Sequence, residues 1–132
     1  MSQENVERFR RAFDGFNQRD IEPMLEISDP AGEWYPLTAE VEGNDPYIGR
    51  EGLRQWWENV GAAFEELEAS LEEVRDLGDT VLALGHLRAQ FKSGVALNTE
   101  TAWLIRFREG LVVWGHAYLS HAEALEAASL SE

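Results

Sequence analysis

The chain has 132 residues and no cysteine, so a single core must hold it without disulfides, and thiolate zinc sites and cysteine nucleophiles are excluded. Its 25 acidic residues outweigh 11 basic ones, of which only Lys92 is lysine, giving a net charge of −14 that would repel nucleic acid and anionic membranes. The acidic opening to Glu7 lacks an apolar leader core, and no run of about 18 apolar residues follows, so one cytoplasmic domain over 1–132 is expected.

Over 2–19 the apolar residues Val6, Phe9, Phe13 and Phe16 recur at steps of three and four, the stripe of a helix facing a core. Ile21, Met24, Leu25 and Ile27 mark a second short helix that begins near Pro23, a residue tolerated in a first turn. Asp29-Pro30-Ala31-Gly32 stops it, and Glu33-Trp34-Tyr35-Pro36 reads as a short strand that Pro36 ends or confines to an edge. The stretch to Gly49, with Gly43, Asn44, Asp45 and Pro46, reads as a loop of the kind that roofs a site. Over 50–65, Leu53, Trp56 or Trp57, Val60 and Phe64 repeat with helical period.

The segment 67–77 is open between helix and strand, because Glu68, Glu72 and Glu73 suit a helix while Gly78-Asp79 ends it like a hairpin turn. Three strands follow over 80–91, 97–108 and 111–119, joined at Ser93-Gly94 and Glu109-Gly110. Ser120, with Glu123 three residues on, forms a capping box that opens a last helix through Leu125 and Ala128.

Taken as two-residue hairpin loops, these turns pair Lys92 with Val95 and Arg108 with Leu111, and cross-strand partners follow by counting back. His86 then lies across Thr101, Thr101 across Tyr118, and Trp103 across His116, on a face that also carries Trp114. Aromatic groups with a few convergent polar ones suit a small-molecule pocket. The opposite face carries Gly85, Ala102, Gly115 and Ala117, small residues that would let a second sheet approach, so it is the expected homodimer interface. A bulge or an odd loop length would reverse these facings beyond it.

The two N-terminal helices, Glu33-Trp34, Tyr47-Ile48-Gly49-Arg50-Glu51, Gly78-Asp79, Phe107-Arg108-Glu109-Gly110-Leu111-Val112 and the run from Tyr118 to Leu125 occur in an order that resembles the SnoaL-like branch of the NTF2-like superfamily. The resemblance covers essentially the whole chain. It implies an α+β cone: a curved antiparallel sheet, helices packed on its concave face around a pocket, and frequent dimers through the sheet. It does not choose a function, since that superfamily includes ketosteroid isomerases, polyketide cyclases, epoxide hydrolases, dehydratases and noncatalytic binders. Where such relatives usually carry an acidic residue near the end of the last strand this chain has His116, and where they usually have aspartate before the last helix it has Ser120.

His116 and His86 are candidate general bases and Tyr118 a candidate oxyanion donor, although each histidine reads somewhat more readily as a half-buried side chain with satisfied partners. His121, in the first turn of the last helix, is expected to be exposed. Trp34, Trp56, Thr101, Trp103 and Trp114 are the candidate ligand-binding residues, with ordinary core packing as the alternative for the tryptophans. Trp56 and Trp57 lie about 100° apart on a helix, so only one can face a pocket squarely. No phosphate-binding loop, dinucleotide fingerprint or zinc-binding run occurs, and neither cofactor nor metal is expected. Two readings remain: a pocket protein that binds a small apolar molecule, or a cofactor-independent isomerase, cyclase or hydrolase that uses histidine acid-base chemistry on a cyclic or polyketide-like substrate.

Overall fold

The computed structural model describes residues 2–37 and 45–131. In chain order these form α1 (Ser2–Asn17), α2 (Glu22–Glu26), β1 (Ser28–Tyr35), β2 (Tyr47–Ile48), α3 (Gly49–Ala63), β3 (Phe64–Asp76), β4 (Thr80–Phe91), β5 (Ala96–Arg108), β6 (Leu111–Tyr118) and α4 (His121–Ser131). The loop expected before Gly49 lies partly outside the described residues.

The helical stripe of α1 buries Phe9 and Ala12, and the helix ends with a bond from Asp20 N to Gly15 O of 2.7 Å. Arg19, at φ 64°, occupies the left-handed position more often given to glycine in such an ending. Segment 64–76, open in the sequence, is a strand. Leu67, Ala69, Leu71 and Val74 share its inner face, with a register shift between Leu71 and Glu73 that keeps Val74 on that face. β3 is an edge strand, and Asn17 at the end of α1 covers part of that edge. Its Nδ2 donates to Ala69 O at 2.8 Å and its Oδ1 accepts from Ala69 N at 3.0 Å, as a neighbouring strand would.

The sheet has the order β2-β1-β6-β5-β4-β3. It is curved and unclosed, as the α+β cone requires, but it is mixed rather than wholly antiparallel: β1 runs parallel to β6, pairing Trp34 with Gly115 and Tyr35 with His116. β1 also begins earlier than expected, at Ser28. The Asp29-Pro30-Ala31-Gly32 turn is absorbed as an irregularity between Ser28 and Glu33 instead of separating helix from strand. Pro36 ends the strand, as anticipated.

Two local features decide which side chains share a face. The β4–β5 hairpin closes on Phe91 and Val95, with Phe91 N to Val95 O at 2.8 Å, so Lys92-Ser93-Gly94 is a three-residue loop rather than a two-residue one. Gly94 has φ 98°, the positive value that the last position of such a loop demands. The Glu109-Gly110 turn does have two residues, but a register shift follows at once: Phe107 pairs with Val112 and Arg106 with Trp114, leaving Val113 extra.

Each feature moves the pairing by one residue. Trp103 therefore lies between Ala83 and Ala117, and His116 lies beside Leu104. The expected facing is thus corrected: Val81, Ala83, Leu87, Trp103, Ile105 and Ala117 form the inner face, and Leu82, Leu84, His86, Leu104, Trp114, His116 and Tyr118 the outer one.

Helices cover both sides of this sheet. The inner face packs against α1, α2 and α3 through Phe9, Ala12, Leu25, Leu53, Trp56 and Val60. α4 crosses to the outer face, where Ala124 and Ala128 bury Leu82, Leu84, Ala102 and Leu104. The small residues expected at a dimer interface are consequently used within the chain. Ala102 lies under α4, Ala117 faces inward, Gly85 abuts the backbone of Ser70, and Gly115 lies under the Trp34 ring. Ser120 caps α4 through a bond from Glu123 N at 3.2 Å, as the sequence indicated. Among the described residues, no helix is long and apolar enough to cross a membrane.

Removing the Asn17 clamp leaves the buried Ala69 amide and carbonyl without these partners. We expect Asn17→Ala to lower unfolding free energy by about 1–3 kcal/mol, read from the urea midpoint with the slope unchanged.

Candidate functional site

Between the inner sheet face and the three N-terminal helices lies a cavity of about 150 Å³. α1 contributes Phe9, Ala12, Phe13 and Phe16; α3 contributes Leu53, Trp56 and Val60; the sheet supplies Leu67, Leu87, Trp103, Ile105 and Ala117; and Trp34 enters from β1. The aromatic rings brace one another. Phe16 stacks on Trp56 at 6.2 Å, Trp34 meets Trp56 edge-on at 5.9 Å, and Phe13 meets Trp103 edge-on at 5.3 Å. These geometries suit the ring quadrupoles and hold the walls in defined rotamers.

Polar groups are few. Ser28 lines the cavity, but its hydroxyl donates to Met24 O at 2.7 Å. Of the described lining residues Glu33 alone is ionisable, and its side chain is on the outer side of β1, level with Trp114, where Oε1 accepts a hydrogen bond from the Tyr35 hydroxyl at 2.9 Å. Trp34 differs: its Nε1 is buried and has no hydrogen-bond partner. The benzenoid edge of this indole, Cε3 and Cζ3, lies where a Cβ on Gly115 would come within 2.6 and 2.8 Å, so only glycine admits the ring there. The nitrogen sits at the other end of the ring system.

The candidate residues separate into two groups. Trp34, Trp56 and Trp103 line the cavity as expected. Thr101 is on the inner face but fully buried, with Oγ1 donating to Tyr118 O at 3.1 Å, and it does not line the cavity. His86, Trp114, His116 and Tyr118 are on the outer face, because of the three-residue loop and the Val113 shift. His86 Nε2 contacts Asn98 Oδ1 at that surface.

His116 is sandwiched between Tyr118 at 4.3 Å and Tyr35 at 5.3 Å, with Trp114 beside it at 5.8 Å and Arg106 over the Trp114 ring at 5.0 Å. The two imidazoles and the tyrosine hydroxyl therefore do not converge on the cavity. His121 is not simply exposed either: its Nε2 bonds Gly85 O at 2.8 Å, which requires the proton on Nε2 and ties the start of α4 to β4.

A wider, open cleft of about 470 Å³ at the free edge of the sheet is lined by Arg19, Glu66, Glu68, Arg88 and Asn98 among others. Its charges are of both signs, and Arg88 already faces Glu68 at 3.9 Å.

The SnoaL-like domain family matches residues 9–114, most of the chain and every cavity wall named above except Ala117. The protein belongs to the SnoaL-like family. No curated protein matches it. Among solved structures, an NTF2-like protein of unknown function from Burkholderia pseudomallei has 18% identity and a TM-score of 0.81, over 93% of this chain and 95% of that one. TerC, co-crystallised with polyporic acid, has 20% identity and a TM-score of 0.79, over 93% of this chain and 96% of its own. A protein from Jannaschia sp. CCS1 described as a SnoaL-like polyketide cyclase has 20% identity and a TM-score of 0.76, over 96% and 92%. At these identities the likeness is one of fold.

Within this SnoaL-like domain the inner-face residues Leu67, Leu87 and Ala117 were missed as cavity walls. For Leu87 the signal that could have found it is the glycine in a Lys-Ser-Gly loop, which fits a three-residue turn as well as a two-residue one, whereas the facing of Ala117 depends on the extra residue at Val113.

The hydrogen bond to Glu33, with burial and the charge of that carboxylate, holds the Tyr35 hydroxyl above the usual phenol range, and burial with the Glu123 charge raises that of Tyr118. Both phenols are protonated at neutral pH. Their folded values exceed the unfolded value of about 10, so what they contribute to stability is intact below that pH and is lost as pH rises through the raised values. In an alkaline titration followed by phenolate absorbance, Tyr35→Phe should remove a late-titrating step.

Proposed function

We propose that this SnoaL-like domain binds a small, uncharged, apolar molecule of about one substituted ring in the cavity between α1, α3 and the inner sheet face. The observation that carries this reading is the cavity itself: about 150 Å³, walled by aromatic and aliphatic side chains, with the Glu33 carboxylate turned to the outer face and held by Tyr35. An apolar void of roughly 150 Å³ stays dry and accepts a benzene-sized guest, whereas sites for drug-sized ligands run to about 300–1,000 Å³. A charged ligand would lose its hydration there and gain no counter-ion. The small-molecule associations in the names of the TerC and Jannaschia structures support a ligand-binding role. Proton transfer by His86 or His116 would need an imidazole within hydrogen-bond reach of the bound molecule, and both rings are on the other side of the sheet. Binding is therefore the better supported reading.

Toluene tests it. Saturable binding should appear as a change in tryptophan fluorescence and a rise in melting temperature, since a ligand of the folded state stabilises it by mass action. Ala12→Leu places extra methyl groups in the cavity, and this variant should remain folded while binding toluene at least about tenfold more weakly, a loss of about 1.4 kcal/mol. A folded wild type that shows no saturable response up to the solubility of toluene would end the proposal.

The partner we assign to the outer face is a second copy of the chain. Beside α4 this face carries the half-buried rings of Tyr35, Trp114 and His116 in mutual contact, and at its margin Ile48, 47% exposed, pairs with Glu33. An aromatic cluster at a surface can be self-complementary about a two-fold axis. Sedimentation velocity at micromolar concentration should give a dimer, and Trp114→Glu should convert it to a monomer with unchanged far-ultraviolet circular dichroism.

A further inference from the structure

We infer that the cavity is a channel lying along the strands, and that its ligand is a ring carrying an unbranched alkyl chain rather than a compact, branched group of the same size. The inference rests on the binding reading above and adds to it the shape that the occupant must have. Its ground is how far apart the walls of one small void lie. Leu87 pairs with Thr99 of β5, and Phe107 stands eight residues further along that strand, yet Leu87 and Phe107 both line the cavity. Eight residues of strand cover roughly 26 Å, whereas a rounded void of about 150 Å³ is only roughly 7 Å across. Curvature of the sheet and the inward reach of the two side chains shorten this span without closing it. The helices give the same measure on straighter rods: Phe9 and Phe16 of α1, both of them walls, lie seven residues and so about 10 Å apart along the axis, as do Leu53 and Val60 of α3.

The channel joins two separate clusters of buried residues. Phe9, Ile27, Ile105 and Phe107 are at one end, and Leu53, Val60, Leu67 and Leu87 at the other. The half-buried Phe13, Trp34 and Trp103 pack against both clusters, so they form the waist between them. Phe13 and Trp103 meet there edge-on at 5.3 Å. Cζ3 of Trp103 lies 3.3 Å from the place of a Cβ on Gly85, so the indole already rests against that glycine and cannot retreat toward the sheet to widen the waist.

Aromatic walls at the waist give a planar guest edge and face contacts. Toward Phe9 and Phe107 the channel is shut by two buried rings, 7% and 3% exposed. Toward Val60, Leu67 and Leu87 it offers aliphatic surface to whatever extends from the ring, and each methylene removed from water there raises affinity roughly fourfold. A branched substituent with the same number of carbons needs width instead of length. Close-packed walls yield width only by forcing side chains off their rotamers.

The isomers n-butylbenzene and tert-butylbenzene share a formula and differ in shape, and toluene is the reference that both readings require to bind. In the fluorescence titration, wild-type affinity should rise roughly fourfold per methylene from toluene to n-butylbenzene, and tert-butylbenzene should bind at least about tenfold more weakly than its linear isomer. Val60→Phe places a ring in the aliphatic end. It should weaken n-butylbenzene about tenfold and leave toluene within about twofold. Should that variant fail to fold, the comparison of isomers on the wild-type protein remains decisive. If toluene binds but the two butylbenzenes bind alike, or the branched one more tightly, the channel inference is overturned while binding stands. A preference for n-butylbenzene that survives in folded Val60→Phe overturns the assignment of the chain to that end. If no alkylbenzene binds the folded wild-type protein, the binding reading itself falls, and this inference with it.

Discussion

The closure of the β4–β5 hairpin on Phe91 and Val95 sets the facing of everything that follows it. Side chains alternate along a strand with a period of two, so one residue more or less in a turn exchanges the whole of one face for the other. With three residues in the loop, Trp103 and Ile105 look toward α1, and the aliphatic Leu82, Leu84 and Leu104 look toward α4. The extra residue at Val113 repeats the operation for β6, turning Ala117 inward and His116 outward. The cavity exists because these two shifts agree: together they bring small residues of β4 and β6, Ala83 and Ala117, to either side of the Trp103 indole and give it room.

That arrangement divides the chemistry of the protein across a single sheet. Inside are hydrocarbon, aromatic edges and one indole nitrogen. Outside are the ionisable and hydrogen-bonding groups, with the imidazole of His116 stacked between two phenols and the His121 ring holding α4 in place. The separation has an electrostatic meaning. Among the described residues no charged side chain turns into the cavity, so its interior is defined by shape and by a very small number of polar atoms, not by a field.

Much of the fold was legible because amphipathic period is a long-range average. The stripe through Val6, Phe9, Phe13 and Phe16 and the Leu53, Trp56, Val60 spacing each survive an error of a residue or two at the helix ends, and the motifs that mark the SnoaL-like family depend on order more than on register. Strand facing has no such tolerance. Lys92-Ser93-Gly94 is chemically compatible with either loop length, and nothing local to Val113 announces an unpaired residue, since its neighbours are as β-prone as it is. Trp34, Trp56 and Trp103 were correctly placed, two of them in segments outside the misregistered hairpins, while Trp114, His116 and Tyr118 were carried to the wrong face by the pairing error. The strand at 64–76 was ambiguous for a different reason: an edge strand with one solvated face fills that face with glutamate, and glutamate favours helices.

The parallel pairing of β1 with β6 joins Trp34 to Gly115 across most of the length of the chain. Such a contact forms late, because the loop it closes must lose its entropy before the pairing gives anything back. During synthesis the indole of Trp34 leaves the ribosome well before the glycine that will receive it. Until β6 arrives, the cavity has no floor on that side, and the aromatic surfaces of α1 and α3 have no sheet to cover them completely. A nascent chain of this protein therefore carries its future cavity walls as an exposed hydrophobic surface, and the excess of acidic over basic residues opposes contact between such chains in the interval.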